Sequence, residues 1–450
     1  VTHILQRSAA RAKNLTKAVA RQTIGRWPAS ASRFTGPLAV NGGAPVRDVR
    51  WRPWGVAGRA NTLKAWVGSV GPSFRKIFLS GQEGLPQPLA KEFGRRWADY
   101  CGCKYALLTP HGTDALRVAI AAAFDHDGLE YGGEIIVPNL SFIASATTAL
   151  DRRFGVALVD VDQATLLIDP AQVEAAVIPG RTRAIMAVHQ FGQPADMTAL
   201  RTIARRHGLK IIEDAAQAHG AEWETGRVGS LGDAAGFSFQ SSKTLSAGEG
   251  GALTTSDRDL YERAVSICNA GRAPDGGGRW LHPNLGWNIR PSEYQAALLL
   301  YRLSLFDEQQ QRRAANFARL RERLTDVTAF EPLTAPPGVR RHGMYMFVLR
   351  YKPPRCGNWP LAEVIRALNA EGAPVYRLYE ATIAQQPAIE KIAARNPQYV
   401  RTLPTPVADA AVHDIVYLPH QVFLGPAEDM DDIAGAIRKV EAHCQHTFSH

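Results

Sequence analysis

Gly236-Phe237-Ser238-Phe239-Gln240-Ser241-Ser242-Lys243 runs from an apolar stretch into small polar residues and stops on a lysine, with Gly248-Glu249-Gly250-Gly251 close behind. A lysine held at a turn between apolar strands is placed to trap an aldehyde. Its small and apolar flanks suit a partly buried amine with a lowered pKa. The bland alternative is a solvated loop lysine. Upstream, Ile211-Ile212-Glu213-Asp214-Ala215-Ala216-Gln217 reads as a buried strand with an acid at its carboxyl end. That acid either faces a ring nitrogen or caps a helix after the strand.

Outward from this pair the chain alternates short apolar strands with amphipathic helices: 105–109 then 113–124, 134–138 then 143–150, 155–161 then 170–177. The rhythm continues with a strand at 183–189, a helix at 197–207, and strands at 209–213, 234–239 and 251–255. Such alternation predicts an α/β fold, a mostly parallel central sheet with helices on both faces. Ligands of such sheets sit beyond the carboxyl ends of the strands, where each chemical motif here falls. A helix is expected over 291–311 and a further helical stretch to 324. Pro332, Pro336 and Pro337 then break the pattern. The predicted division is a large domain over 38–325 and a smaller C-terminal α+β domain over 326–450. The glycine-rich stretch 273–278 reads as a loop within one catalytic body.

Thr109-Pro110-His111-Gly112-Thr113-Asp114 joins a strand to a helix start, where unpaired N–H groups and the helix dipole favour a phosphate. Gly112 lets that phosphate come close, although Thr113 is also an ordinary helix cap. Pro138-Asn139-Leu140-Ser141-Phe142 ends the next strand on an aromatic, which by itself reads as a core residue packing a helix onto the sheet. Gly286-Trp287-Asn288-Ile289-Arg290 precedes the helix that starts near Pro291.

In this order the five segments resemble the DegT/DnrJ/EryC1/StrS family of sugar and cyclitol aminotransferases, from about Gly42 to the end of the chain. The resemblance implies a fold type I transferase, like aspartate aminotransferase, that uses pyridoxal 5'-phosphate. It makes Lys243 the residue that condenses with the cofactor and Asp214 the carboxylate against the ring nitrogen. Gly112, Thr113, Ser238 and Asn288 would hold the phosphate, with Asn288 reaching into the neighbouring subunit of a homodimer with shared active sites. Phe142 would stack on the ring and Gln217 would bond its hydroxyl, with His219 behind them. His111 departs from the asparagine common in the family. His342, Tyr345 and Val375-Tyr376-Arg377 lie where family members line the substrate cleft. Ser238-Phe239-Gln240, Ala247-Gly248-Glu249-Gly250-Gly251-Ala252 and Val40-Asn41-Gly42-Gly43-Ala44-Pro45 are most similar to the glutamine-using cyclitol branch. The implied reaction moves an amino group from glutamine or glutamate to a ketone on a cyclitol or sugar. Rivals are a nucleotide-sugar aminotransferase, an aromatising dehydratase of the aminohydroxybenzoate synthase type, and a regulator that keeps the fold without its chemistry.

Bulk properties narrow the class. A hydrophobic content of 45% with 21% charged residues is ordinary for a globular chain. Apolar runs such as 118–124 are far too short to cross a bilayer, so no membrane partner is expected. Of the net charge of +10, eight positive charges precede the first acid, Asp48, leaving +2 for the rest. Seven of those eight belong to a basic extension over 1–37, predicted to be disordered. Its Arg, Ala and Ser content also resembles a transit peptide, and it gives no ground for nucleic-acid binding. Five cysteines, an odd number, make a reducing cytoplasm the simplest setting. His443, Cys444, His446 and His450 read as a polar terminus, and no metal site is expected.

Overall fold

The structure is a computed structural model that describes residues 36–47, 70–81, 87–273 and 281–447, with 34, 68 and 83. Most of the basic extension and positions 274–278 of the glycine-rich loop lie outside the described residues. In chain order the strands are β1 (Tyr105–Thr109), β2 (Glu134–Pro138), β3 (Gly155–Val159), β4 (Thr182–Val188), β5 (Lys210–Asp214), β6 (Glu222–Trp223), β7 (Gly226–Arg227), β8 (Ala234–Ser238), β9 (Gly251–Thr255), β10 (Phe330–Pro332), β11 (Val339–Arg341), β12 (Met346–Tyr351), β13 (Tyr376–Arg377), β14 (Val400–Thr402) and β15 (Ile415–Pro419).

Eight of them form one sheet in the order β1-β9-β8-β5-β4-β2-β3-β14. Most neighbours are parallel, as expected of strands buried on both faces and joined by helices. β9 is the exception: no helix separates it from β8, so it returns antiparallel and also pairs antiparallel with β1. Register places the ends of the inner strands side by side. Val188 pairs with Asp214, Asp214 with Gly236, and Ser238 with Gly251.

Each face of this sheet has its own core. Trp97, Ile185, Phe237 and Phe239 fill one, and Leu116, Val118, Val137, Met186 and Ile212 the other. The helix Gly112–Phe124 follows β1, and its small buried side chains at Ala119, Ala121 and Ala122 let it lie close to the sheet.

A smaller antiparallel sheet, β10-β12-β15-β13, packs against the helices Leu361–Ala370 and Glu428–Thr447 around Phe330, Leu349, Val416 and Ile437. Taking the Trp97 side of the large sheet as the first core and the core of the smaller sheet as the second, the chain crosses position 325 in both directions: Leu38 and Val46 lie in the second core, whereas β14 extends the large sheet beside β3. Glu371 holds the early segment in place by accepting from the Ala39 N–H (2.7 Å), the Val46 N–H (2.9 Å) and Lys439 Nζ (3.0 Å).

Two sequence expectations change here. The helix expected over 291–311 is two helices, Glu293–Ser304 and Phe306–Arg323. The first starts at a capping box made by Ser292 and Gln295 and ends where the Leu305 N–H bonds back to Arg302. The second helix then runs from the first core at Phe306 to the second at Leu320. The second change concerns the cysteines: Cys356 and Cys444 form a disulfide in the second core, and Cys101, Cys103 and Cys268 are free. Cys444 is therefore not available as a metal ligand, and among the described residues no cluster of three or more metal-ligating side chains occurs. Among them too, no helix is long and apolar enough to cross a membrane.

Candidate active site

Strand alternation along β5 separates its two acids. Glu213 points into the first core, where it accepts from the N–H groups of Gly229 (2.9 Å), Leu231 (2.8 Å) and Gly232 (2.7 Å) and from His189 Nε2 (3.0 Å). Those four donors make it structural. Asp214, at the strand's carboxyl end, is 6% exposed; its Oδ2 accepts from Ser145 Oγ at 2.6 Å and its Oδ1 from the Ala216 N–H at 3.2 Å. It is no helix cap, since no helix follows it. Burial raises its pKa, opposed by the Ser145 and Ala216 bonds and by the charge of Lys243. A carboxylate in that state is completed by a nearby cation.

Lys243 is half-buried in the connection between β8 and β9, where its N–H bonds back to the Gln240 carbonyl at 2.9 Å. Its Nζ lies 3.3 Å from Tyr345 Oη and 4.5 Å from the centre of that ring. The Tyr345 hydroxyl also meets Ser242 Oγ at 3.3 Å, so the residue just before β12 presents one phenol to both side chains.

The start of the helix Gly112–Phe124 converges on the end of β8. A Cβ on Gly112 would stand 2.6 Å from Ser238 Cβ and 2.9 Å from its Cα, and one on Gly251 would stand 2.3 Å from the His111 carbonyl oxygen. Glycine at both positions thus lets the helix end sit directly against Ser238 and β9. No side chain caps this helix: His111 is at the cap position and bonds Asp114 (3.0 Å) instead, and Thr113 is exposed. Behind Ser238, the buried His219 donates through Nε2 to the Ser238 carbonyl (2.8 Å), enclosed by Trp97, Phe237 and Phe239. Burial takes its pKa down to about 3, so the ring is neutral and acts as a fixed donor.

Phe142 is 59% exposed, which removes the core-aromatic alternative. Gln217 is buried; its Oε1 accepts from the Phe191 N–H (2.8 Å) and its Nε2 donates to Tyr379 Oη (3.3 Å), which in turn bonds Gln190 (3.3 Å). Asn288 is exposed and its backbone bridges to Asn269, while Arg290 bonds the Asn269 side chain at 2.8 Å. Of the cleft residues expected from the resemblance, Tyr345 reaches the lysine. His342 instead turns into a separate cavity beside Phe317 and Arg321. Val375 is in the second core, and Arg377 bonds the Val412 carbonyl at 3.1 Å.

Ser145, Tyr379 and Gln190 were not legible as site residues. Ser145 had one faint signal, its spacing of four from Ser141 on a helix start, and the two hydroxyls do meet at 2.8 Å.

A buried acid, a half-buried amine beside a phenol, and a glycine-opened helix start facing a serine define a site at the carboxyl ends of a mostly parallel sheet. The chain belongs to the DegT/DnrJ/EryC1/StrS aminotransferase family, whose model matches residues 73–438. It is an enzyme of a pyridoxal phosphate-dependent family. Among curated relatives it is 37% identical over 424 residues to the L-glutamine:2-deoxy-scyllo-inosose aminotransferase of Streptomyces fradiae, covering 90% of this chain and 98% of that one. It is 36% identical over 420 residues to the L-glutamine:scyllo-inosose aminotransferase of Streptomyces griseus, covering 90% and 97%. Among solved structures, 3-amino-5-hydroxybenzoic acid synthase superposes with a TM-score of 0.73 at 32% identity, covering 83% of this chain and 96% of the other. DesI, solved in the presence of its TDP-sugar product, gives 0.75 at 27% identity, covering 93% and 98%.

Proposed function

We propose that this enzyme binds pyridoxal 5'-phosphate between Asp214 and Lys243 and moves an amino group from glutamine or glutamate to a ketone on a cyclitol. The observation that carries the chemistry is the half-buried Lys243 amine, bonded to the Tyr345 hydroxyl and near enough to the buried Asp214 for its charge to oppose the rise that burial causes in the Asp214 pKa. The residues present fit the cofactor. Asp214 forms no ion pair among the described residues, Gly112 lets the helix start lie directly against Ser238, and Phe142 offers an uncovered aromatic face.

When bound, pyridoxal phosphate supplies an aldehyde for amines and an electron sink for the carbon they carry. Asp214 would keep the ring nitrogen protonated, and Ser145 keeps Asp214 oriented. Gly112, Thr113 and Ser238 would hold the phosphate at the helix start. Phe142 would cover one ring face and Gln217 would bond the ring hydroxyl. Lys243, once free, is the base that takes the proton from the substrate carbon and returns it, and Tyr345 positions its Nζ. Asn288 would complete the phosphate site of a second copy in a homodimer. The large part, 38–325, would carry the cofactor, and 326–450 would close over the substrates.

The identities with the two glutamine:inosose aminotransferases support the cyclitol acceptor and the glutamine donor. A panel of donors and acceptors tests this. Keto acid released from glutamine together with an aminated scyllo-inosose-type ketone is expected; amination of nucleotide-linked sugars alone would contradict the cyclitol assignment. The likeness to 3-amino-5-hydroxybenzoic acid synthase favours a second reading, an aromatising dehydration. Loss of water from a ring substrate without keto acid formation would establish it.

A further inference from the structure

Behind the lysine turn lies a second cavity, of about 230 Å³, walled by the turn itself, by the helices Glu293–Ser304 and Phe306–Arg323, and by the segment after β15. Lys243, Thr244, Arg302, Arg313, His420 and Gln421 are among its polar lining residues, and none of its described lining residues is acidic. Two guanidinium groups therefore face one small space with no carboxylate to balance them.

Arg313 is 1% exposed. Among the described residues it donates to neutral amide oxygens alone, Gln310 Oε1 at 2.9 Å and Gln309 Oε1 at 3.4 Å, and its Nε has no partner. Burial pushes its pKa down to about 9, and no acid counters that. Arg302 donates to the Ser246 carbonyl and forms no ion pair among the described residues. Three further buried polar atoms at this cavity lack partners among the described residues: Thr244 Oγ1, His420 Nδ1 and Gln421 Oε1. His420 donates through its other nitrogen to the Ser242 carbonyl (2.9 Å), so the cavity is tied to the backbone that carries the lysine.

A buried guanidinium without a counter-charge is costly, and a planar carboxylate satisfies two of its N–H groups at once. The volume is below the roughly 300–1,000 Å³ of drug-sized sites, which suits a small acid and excludes a nucleotide-linked sugar. We propose that Arg302 and Arg313 form a carboxylate-binding site beside Lys243. It takes the carboxylate of the amino acid donor or of the keto acid the donor becomes. The source of the carboxylate rests on the aminotransferase reading above; the site itself does not.

Isothermal titration of the cofactor-loaded enzyme with sodium glutarate, a dicarboxylate without an amine, tests it in chloride-free buffer and again with sodium chloride. Glutarate is expected to bind wild type and to bind about 10-fold or more weakly to Arg302→Gln and to Arg313→Gln, the loss of one charge-assisted hydrogen bond. Arg302→Lys should recover part of the affinity. The KM for glutamine should rise by a similar factor in the variants, with kcat little changed. Should the buried Arg313 variant fail to fold, the half-buried Arg302 pair decides the matter. No glutarate binding to wild type, binding of chloride alone, or glutarate affinity unchanged in Arg302→Gln would overturn the site. Glutarate binding that depends on Arg302, in an enzyme that releases keto acid from no donor, would keep the site and discard the transamination.

Discussion

Asp214 is in an unfavourable place for a carboxylate that lacks a partner. Burial raises its pKa, so holding it ionised costs the cofactor-free protein stability once the pH rises above the ordinary carboxylate range. Asp214→Asn keeps an oxygen to accept from Ser145 and removes that charge. Thermal melts of the cofactor-free variant at pH 8 should therefore match or exceed wild type, while turnover falls at least about 100-fold because the electron sink is lost. A destabilised but active variant would contradict the role given to Asp214. Identity along β5 was readable from the residues because the strand ends on the acid. Which of Glu213 and Asp214 faced the cleft was decided by the resemblance, and the bonds to Gly229, Leu231 and Gly232 give the physical reason.

The helix Gly112–Phe124 and the end of β8 act together, since their backbones meet closer than a side chain allows. Gly112→Ala should push the helix start away from Ser238, with its Cβ 2.6 Å from that of Ser238 in the present geometry. Affinity for pyridoxal phosphate is expected to fall about 10-fold or more, as for loss of one charge-assisted hydrogen bond; unchanged affinity in a fluorescence titration would count against the cradle. The βα rhythm made seven of the eight strands of the large sheet legible to within a residue or two, because strands buried on both faces are continuous apolar runs. It did not foretell that β9 turns back antiparallel, nor that β14 crosses over to join the large sheet. Those are long-range pairings that a local pattern does not carry. The break at Leu305 escaped for a related reason. Leu299 and Leu320 continue a helical pattern in the sequence and differ only in which core they serve.

At the scale of the whole molecule, the second core is closed by the Cys356–Cys444 disulfide, which spans 88 positions and ties a turn after β12 to the C-terminal helix. Reduction, or Cys444→Ser, should lower stability in denaturant melts by about 2–4 kcal/mol. Melts that coincide with and without reductant would show the bridge to be dispensable. Acid should weaken the fold as well. Burial holds His219 and His342 neutral with pKa values of about 3, below the ordinary histidine value of 6.5. Their contribution is complete above 6.5 and is lost as the pH falls toward 3, because the unfolded chain takes up the protons. Replacing His342 by Gln should flatten the pH dependence of stability across that window by about 1.4 kcal/mol per pH unit; an unchanged slope would mean that His342 is not held neutral. All of these features support a site whose centre is one amine, and the most direct test is chemical. Borohydride reduction of the cofactor-loaded enzyme followed by peptide mapping should find a pyridoxyl group on Lys243. A label on any other residue, or none at all, would contradict the account.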